Sequence, residues 1–393
     1  MSLIQADGGV CLPRGFLAAG VASGIKRSGG LDLALIVSEI QAACAGVFTT
    51  NLAAAAPVLV SRDRIKSGSA RGVVVNSGCA NACTGRKGHQ HALDMADVAA
   101  KATKIPANQM LVCSTGLIGS YLPMDKVLLG ATKAASALTA DDEKAMKAIM
   151  TTDTRPKRIA YSNSAGWSIG GIAKGSGMIA PNMATMLGFV TTDAAVSPAQ
   201  LRSALIRVTK ATFNAISVDG DTSTNDTVLV FANGHSGVSP SIKSFTEALE
   251  SVCSDLAEMI VIDGEGAEKI VRIKVAGAAN RRQAEQAART VAESLLVKTA
   301  IYGGDANWGR VAAALGRSGA SFELDRLTIS MGNEKVFANG QPGAPQAVTR
   351  ARAAMKKADI AIVCDLGAGK AIAEMLTTDM TPKFVNLNAE YEV

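Results

Sequence analysis

Short apolar runs broken by Gly, Pro and hydroxyl residues alternate along this chain with a smaller number of amphipathic stretches. Leu31–Ser38, Ala45–Thr49, Ala56–Val60, Gly72–Asn76 and Met110–Cys113 have strand length and strand composition. Val73–Val75 is apolar throughout, which predicts a strand covered on both faces. Further strands are expected at Ser168–Ala173, Met186–Thr191, Val228–Ala232, Val271–Ala276, Leu327–Met331, Ile360–Cys364 and Phe384–Leu387. Helical spacing predicts helices near His89–Lys104, Asp141–Met150, Arg281–Leu296 and Thr349–Lys357. Ser197-Pro198 reads as a cap followed by Pro in the first turn, with Leu201, Leu205, Val208 and Thr212 on one face. Ser244-X-X-Glu247 reads as a capping box opening a helix whose apolar face is Phe245, Leu249, Val252, Leu256 and Ile260. The interleaving of strands and helices predicts a mixed α/β or α+β protein, as one large domain or two intimate ones.

Composition narrows this. The chain has 393 residues, 48% hydrophobic and 19% charged with 38 Gly, which excludes a disordered chain and favours a tightly packed core of small residues. A net charge of +6, with no Lys/Arg block, argues against nucleic acid as partner. No apolar run approaches the ~18 residues of a membrane helix, and the start, Met1-Ser-Leu-Ile-Gln-Ala-Asp, lacks a secretory pattern. Seven cysteines are scattered. Cys79 and Cys83 with His89 and His91 could be arranged as zinc ligands, but buried reduced thiols in a cytosolic protein are the preferred reading.

Chemistry gathers in a few places. Lys174-Gly-Ser-Gly-Met178-Ile-Ala-Pro181-Asn-Met-Ala184-Thr185-Met-Leu-Gly188 is neither a good helix nor a clean strand. Gly175 and Gly177 permit φ > 0, and Pro181 pushes Ala180 toward extended geometry. Such a backbone could hold the Ala184 carbonyl near the Thr185 hydroxyl for an N-to-O acyl shift. Hydrolysis would then free a Thr185 whose α-amine, with a pKa of about 7.7–8.0, serves as base for its own hydroxyl. By spacing alone the plainer reading, a Gly/Pro-rich connection without chemistry, is preferred. Ser114-Thr115-Gly116, after an apolar strand, offers a hydroxyl and an unobstructed amide side by side, or simply a turn. Asp219, Asp221, Asn225 and Asp226 lie in one loop; their spacing does not fit an EF-hand, so Asx turns are expected over metal binding. Glu265, between two glycines, is placed for close approach to a ligand or for an exposed turn. Asn307 and Arg310 could be ligands, but a demanding turn packing Trp308 is the preferred reading. No GxGxxG or P-loop motif is present.

The run Gly177-Met-Ile-Ala-Pro-Asn-Met-Ala-Thr185-Met-Leu resembles the self-cleavage segment of the ornithine acetyltransferase (glutamate N-acetyltransferase) family, and the resemblance extends over about residues 10 to 391. It implies helix-sheet-sheet-helix layers, an α/β sandwich similar to N-terminal-nucleophile hydrolases with different connectivity. It also implies cleavage between Ala184 and Thr185 into an α chain, 1–184, and a β chain, 185–393, intertwined as one catalytic unit, with a smaller C-terminal lobe left open. Thr185 would be the nucleophile, Thr115 and Gly116 the oxyanion hole, and Thr152, Lys174, Thr185, Glu265 and Asn388 the substrate contacts. Two departures stand out: Val393 ends the chain where the family has Thr or Ser, and Glu268 stands where Thr is usual. The implied reaction is ping-pong transfer of acetyl from N-acetylornithine to glutamate. No metal or cofactor is implied, and use of acetyl-CoA as a second donor stays open. The implied assembly is an α2β2 heterotetramer in the cytoplasm. Two alternatives remain at this stage, a self-processed Thr hydrolase or aminopeptidase and an uncleaved, non-catalytic binding protein.

Overall fold

The computed structural model describes residues 3–180 and 186–390, which form two compact units. The first comprises residues up to Asn214 together with Asp221–Ile260. Its sheet is built from β1 (Leu3–Ala6), β2 (Phe16–Val21), β3 (Leu33–Phe48), β4 (Ser69–Cys79), β5 (Met110–Leu117), β6 (Lys157–Asn163), β7 (Trp167–Lys174) and β8 (Leu187–Thr192). Strand β9 (Ile216–Ser217) belongs to the second unit, and β10 (Thr227–Ala232) completes the first. The order is β1-β6-β7-β8-β10-β3-β4-β5, with β2 also on β3.

One strand turns this sheet into two layers. β3 pairs through Leu33–Ser38 with β2 and through Ala43–Phe48 with β10, and its register with β4 shifts between Val37 and Ala42. Phe16, Ile36, Val73, Val75 and Leu111 from one layer meet Ile172, Leu187, Phe189, Leu229 and Phe231 from the other in a single buried cluster. Burying each such aromatic contributes roughly 1.5–3 kcal/mol. The alternate positions, Leu33, Leu35, Val74, Met110 and Val112, face helices α1 (Ala56–Arg64), α2 (Gly85–Thr103) and α3 (Met124–Ser136). Those helices present mostly Ala, including Ala92, Ala96, Ala99, Ala131 and Ala134, so they approach the strands closely. Helix α4 (Glu143–Ile149) adds Met146 and Ile149 to the inter-sheet core. The other outer face is covered by α5 (Pro198–Ala211) and α6 (Ile242–Ile262). Bare Gly171 on β7 leaves room there for Val252 and Leu256 of α6. The helix-sheet-sheet-helix arrangement expected from the resemblance is therefore the architecture of the first unit.

The second unit, residues 215–220 and 261–392, has a seven-stranded mixed sheet. Besides β9 it holds β11 (Ile270–Ala278), β12 (Thr328–Met331), β13 (Glu334–Ala338), β14 (Gln341–Pro342), β15 (Asp359–Asp365) and β16 (Ala371–Thr378). Helices α7 (Arg281–Ala292), α8 (Leu295–Tyr302), α9 (Trp308–Gly316), α10 (Pro345–Ala354) and α11 (Pro382–Ala389) complete it. Asn307 caps α9 by accepting from Arg310 N at 3.2 Å, and Trp308 stacks on Phe337 with centroids 4.9 Å apart. Among the described residues no helix is long and apolar enough to cross a membrane.

Several expectations need correction. Leu31–Ser38 and Ala45–Thr49 are halves of one strand, β3, because the bulge lets a single strand serve both layers. Ala56–Val60 is helical: Pro57 sits in the first turn, where its missing N–H costs nothing, and Arg62 and Arg64 lie in the last turn. Phe384–Leu387 is helical too, started by Pro382 after a Thr381 cap. Arg281–Leu296 divides into α7 and α8 around Ser294. Ser244 lies inside α6, which begins at Ile242; its apolar face is buried as expected. The Ser197–Gln200 capping box of α5 is present.

Candidate active site

The parallel pair β4–β5 brings Ser77 opposite Thr115 and Gly78 opposite Gly116, with the register breaking just beyond. Gly116 has φ +126°, and a Cβ there would stand 2.4 Å from the Gly78 carbonyl carbon and 2.6 Å from Cys79 N. Only glycine fits, so the Thr115–Gly116 segment stays open beside its hydroxyl. Asn225, buried, pins the same strand ends by donating to Ala80 O at 2.6 Å and Ser114 O at 2.8 Å.

Lys174, at the end of β7, sends its ammonium toward this tip. Nζ donates to Thr151 Oγ1 at 2.7 Å and to Thr115 Oγ1 at 3.4 Å, and stands 4.0 Å from Asp153 Oδ2. Asp153 is the hub of the cluster and was not singled out from sequence. Its fully buried carboxylate accepts from Lys157 Nζ at 2.7 Å, Gly175 N at 2.7 Å and Thr151 N at 2.9 Å. Burial alone would raise its pKa, but the charges of Lys174 and Lys157 and the hydrogen bonds from Lys157 and Gly175 bring it down to about 2. Thr152 shares a 2.7 Å hydrogen bond with Ser176. One carboxylate thus holds Lys174, the Thr151–Thr152 turn and the start of the Gly-rich segment in fixed relation.

The 184/185 junction falls in the connection between β7 and β8, which pair antiparallel from Ile169–Thr192 to Lys174–Leu187. Ala184 and Thr185 themselves lie outside the described residues. On the near side, positive φ falls at Gly175 (+152°) and at Met178 (+54°) rather than at Gly177. The acidic loop ties this segment down: Ile179 bridges Thr222, and Thr222 Oγ1 donates to Ala180 O at 2.8 Å. Thr222 and Ser223 are in turn gripped by Asn51 Nδ2 (2.8 Å) and Thr49 Oγ1 (2.7 Å). Asp226, nearly fully buried at the head of β10, follows the same loop. Burial pushes its carboxyl well above the usual range, against hydrogen bonding from Ser223 and Thr49, the Lys174 charge and the Met186 amide. The loop is therefore a clamp, and its carboxamide and hydroxyl groups are occupied in turns and backbone contacts.

Glu265 and Asn388 belong to the second unit, where Asn388 Nδ2 donates to Glu265 Oε2 at 3.0 Å and to Phe384 O at 3.0 Å. Glu265 is half-buried and Asn388 exposed, while Glu268 is exposed and its backbone N–H is bound by Asp379. Val393 lies outside the described residues. All seven cysteines are free. Among the described residues no three His, Cys, Asp or Glu side chains gather as a metal site, Cys79, Cys83, His89 and His91 included.

Sequence comparison places these arrangements in a lineage. The chain is 48% identical over 397 residues to the arginine biosynthesis bifunctional protein ArgJ of Symbiobacterium thermophilum, covering 98% of both. It is 47% identical over 388 residues to that of Nitratidesulfovibrio vulgaris, covering 96% of this chain and 98% of the relative. A solved chain of the Bacillus halodurans arginine biosynthesis bifunctional protein is 41% identical, with a TM-score of 0.51, and is matched over its whole length by 53% of this one. The ArgJ family pattern matches residues 17–393, and the chain belongs to the ArgJ family.

Proposed function

We propose that this chain moves an acetyl group from N-acetylornithine to glutamate through an ester on Thr185, formed after the chain severs itself between Ala184 and Thr185. Membership of the ArgJ family makes it an acyltransferase of arginine biosynthesis. The observation that carries the mechanism is Lys174 Nζ directed at Thr115 Oγ1. A cationic donor on that oxygen turns the hydroxyl proton outward, ready to meet an oxyanion beside the Gly116 amide. Asp153 keeps the cation in place at 4.0 Å.

In the first half-reaction Thr185 Oγ attacks the acetyl carbonyl while its proton passes to the residue's own α-amine. The acetyl C–N bond then breaks, and that proton leaves on the amine of ornithine. In the second, the amine of glutamate attacks the ester carbonyl, the C–O bond breaks and Thr185 Oγ recovers a proton. Thr152, Lys174, Glu265 and Asn388 would hold the amino-acid portions. The word bifunctional in the relatives' names supports a second donor, which we take to be acetyl-CoA, with no resident cofactor. The share of this chain that matches the solved Bacillus chain, 53%, is the share residues 185–393 make up, as expected if both proteins are cut at the same place. Held together by the β7–β8 ladder, the two pieces would stay associated, as an α2β2 assembly in the cytoplasm.

Purified protein incubated with N-acetylornithine alone, then analysed intact by mass spectrometry, should give fragments 1–184 and 185–393, the second carrying one acetyl group. Adding glutamate should discharge it as N-acetylglutamate. Release as free acetate would instead indicate a hydrolase, and an uncut, unacetylated chain would overturn the proposal.

A further inference from the structure

The loop between α6 and β11 carries Glu265, and its shape is not set by its own sequence. Gly266 has φ +67°, and a Cβ there would lie 2.4 Å from Phe384 N, so the first turn of α11 rests on bare backbone. Thr381, the α11 cap, donates its hydroxyl to Gly266 O at 2.7 Å. At the other end Lys269 Nζ donates to Ile301 O, Tyr302 O and Met355 O, while the backbone amides of Glu268 and Lys269 are held by one side chain, Asp379. Asp379 Oδ1 accepts from Glu268 N at 3.0 Å and from Lys269 N at 3.1 Å, and Asp379 N donates back to Lys269 O at 3.3 Å. Asp379 is 3% exposed, and its second oxygen is buried with no hydrogen-bond partner. Behind it, fully buried Lys298 donates to Thr377 Oγ1 (3.1 Å), Thr378 O (2.5 Å) and Thr378 Oγ1 (3.0 Å), which fixes the strand end leading into Asp379.

A buried carboxylate costs free energy unless it is well bonded. Here its two accepted bonds both come from the backbone of the Glu265 loop. We infer that Asp379 is a positioning residue for the Glu265–Asn388 pair: by clamping the Glu268 and Lys269 amides it sets where Glu265 Oε2 meets Asn388 Nδ2. The inference rests on the reading of Glu265 as a substrate contact. It adds a residue that touches no substrate and acts through the loop, with α11 as the opposing jaw.

The test uses the full-length chain and three variants, D379A, D379N and E265Q. Each is measured for self-cleavage, for kcat and KM toward N-acetylornithine and glutamate, and for hydrogen exchange of the Glu268 and Lys269 amides. An amide oxygen at position 379 can still accept both backbone donors, whereas Ala cannot. D379A is expected to lose protection at those two amides and to raise KM for both amino acids about tenfold, the scale of one lost charge-assisted bond. Its kcat should stay within about threefold, and D379N should recover most of the KM and the protection. Wild-type KM in D379A, or equal damage in D379A and D379N, overturns the inference while E265Q remains impaired. Wild-type kinetics in E265Q instead reject the role given to Glu265. Should D379A fail to accumulate, D379N with lost protection and raised KM would overturn the inference by itself.

Discussion

Replacing Asp153 by Asn removes one charge and almost no volume, so its cost reads out electrostatics. The carboxylate is fully buried, 2.7 Å from Lys157 Nζ and 4.0 Å from Lys174 Nζ, and it accepts from Gly175 N and Thr151 N. Its pKa in the fold is about 2, against 3.8 ordinarily. That difference corresponds to stability on the order of 2 kcal/mol from the ionised form. The sign follows from the folded pKa being depressed. The contribution is fully present above pH 3.8 and is lost as pH falls toward 2. The substitution would also take the Asp153 charge away from Lys157, itself fully buried, and breaking a buried ion pair costs about 3–5 kcal/mol. Urea unfolding at pH 7 should therefore show D153N less stable by about 3 kcal/mol, a fall in Tm of roughly 6–12 °C for a unit of this size. Repeated at decreasing pH, the gap between wild type and variant should narrow below pH 3.8. An unchanged midpoint at pH 7, or a gap that stays constant down to pH 2, would refute this account of the cluster.

Thr115→Ala should lower kcat by roughly 10²-fold with self-association of the fragments intact, the usual scale for one lost oxyanion donor; an unchanged kcat in steady-state transfer assays removes Thr115 from that role. Gly116→Ala places a Cβ 2.4 Å from backbone at φ +126°, so the β4–β5 tip must shift. Strain of about 1–3 kcal/mol and a transfer rate reduced at least as much as in T115A are expected, by thermal unfolding and kinetics. Thr185→Ala should abolish both chain scission on a denaturing gel and acetyl transfer, and a fully active variant would reject the nucleophile.

Much of the architecture could be read from local pattern. Val73–Val75 is flanked by inter-sheet core on one side and helices on the other, as an unbroken apolar run implies. The α5 cap and the buried faces of α5 and α6 follow from spacing that local chemistry enforces. Two of the failures came where the same short apolar run satisfies two periods. Ala56–Val60 and Phe384–Leu387 are too short for periodicity to separate strand from helix, and a Pro in the first turn decided both.

The candidate site divides in the same way. Thr115, Gly116, Thr152, Lys174 and Glu265 could be named from motif resemblance because each sits in a chemically conspicuous stretch. Asp153 and Asp379 could not, and Asp226 was legible only as part of an acidic loop, since an Asp in a polar loop looks solvated until its neighbours are known. By itself, the order of residues determined which segments could bury a face, where backbone must bend and which family the chain joins. Only tertiary structure decided that β3 serves two layers and that three acids are buried. Those outcomes depend on partners far apart in the chain: desolvation and the donors that offset it exist only once distant strands and loops are packed together.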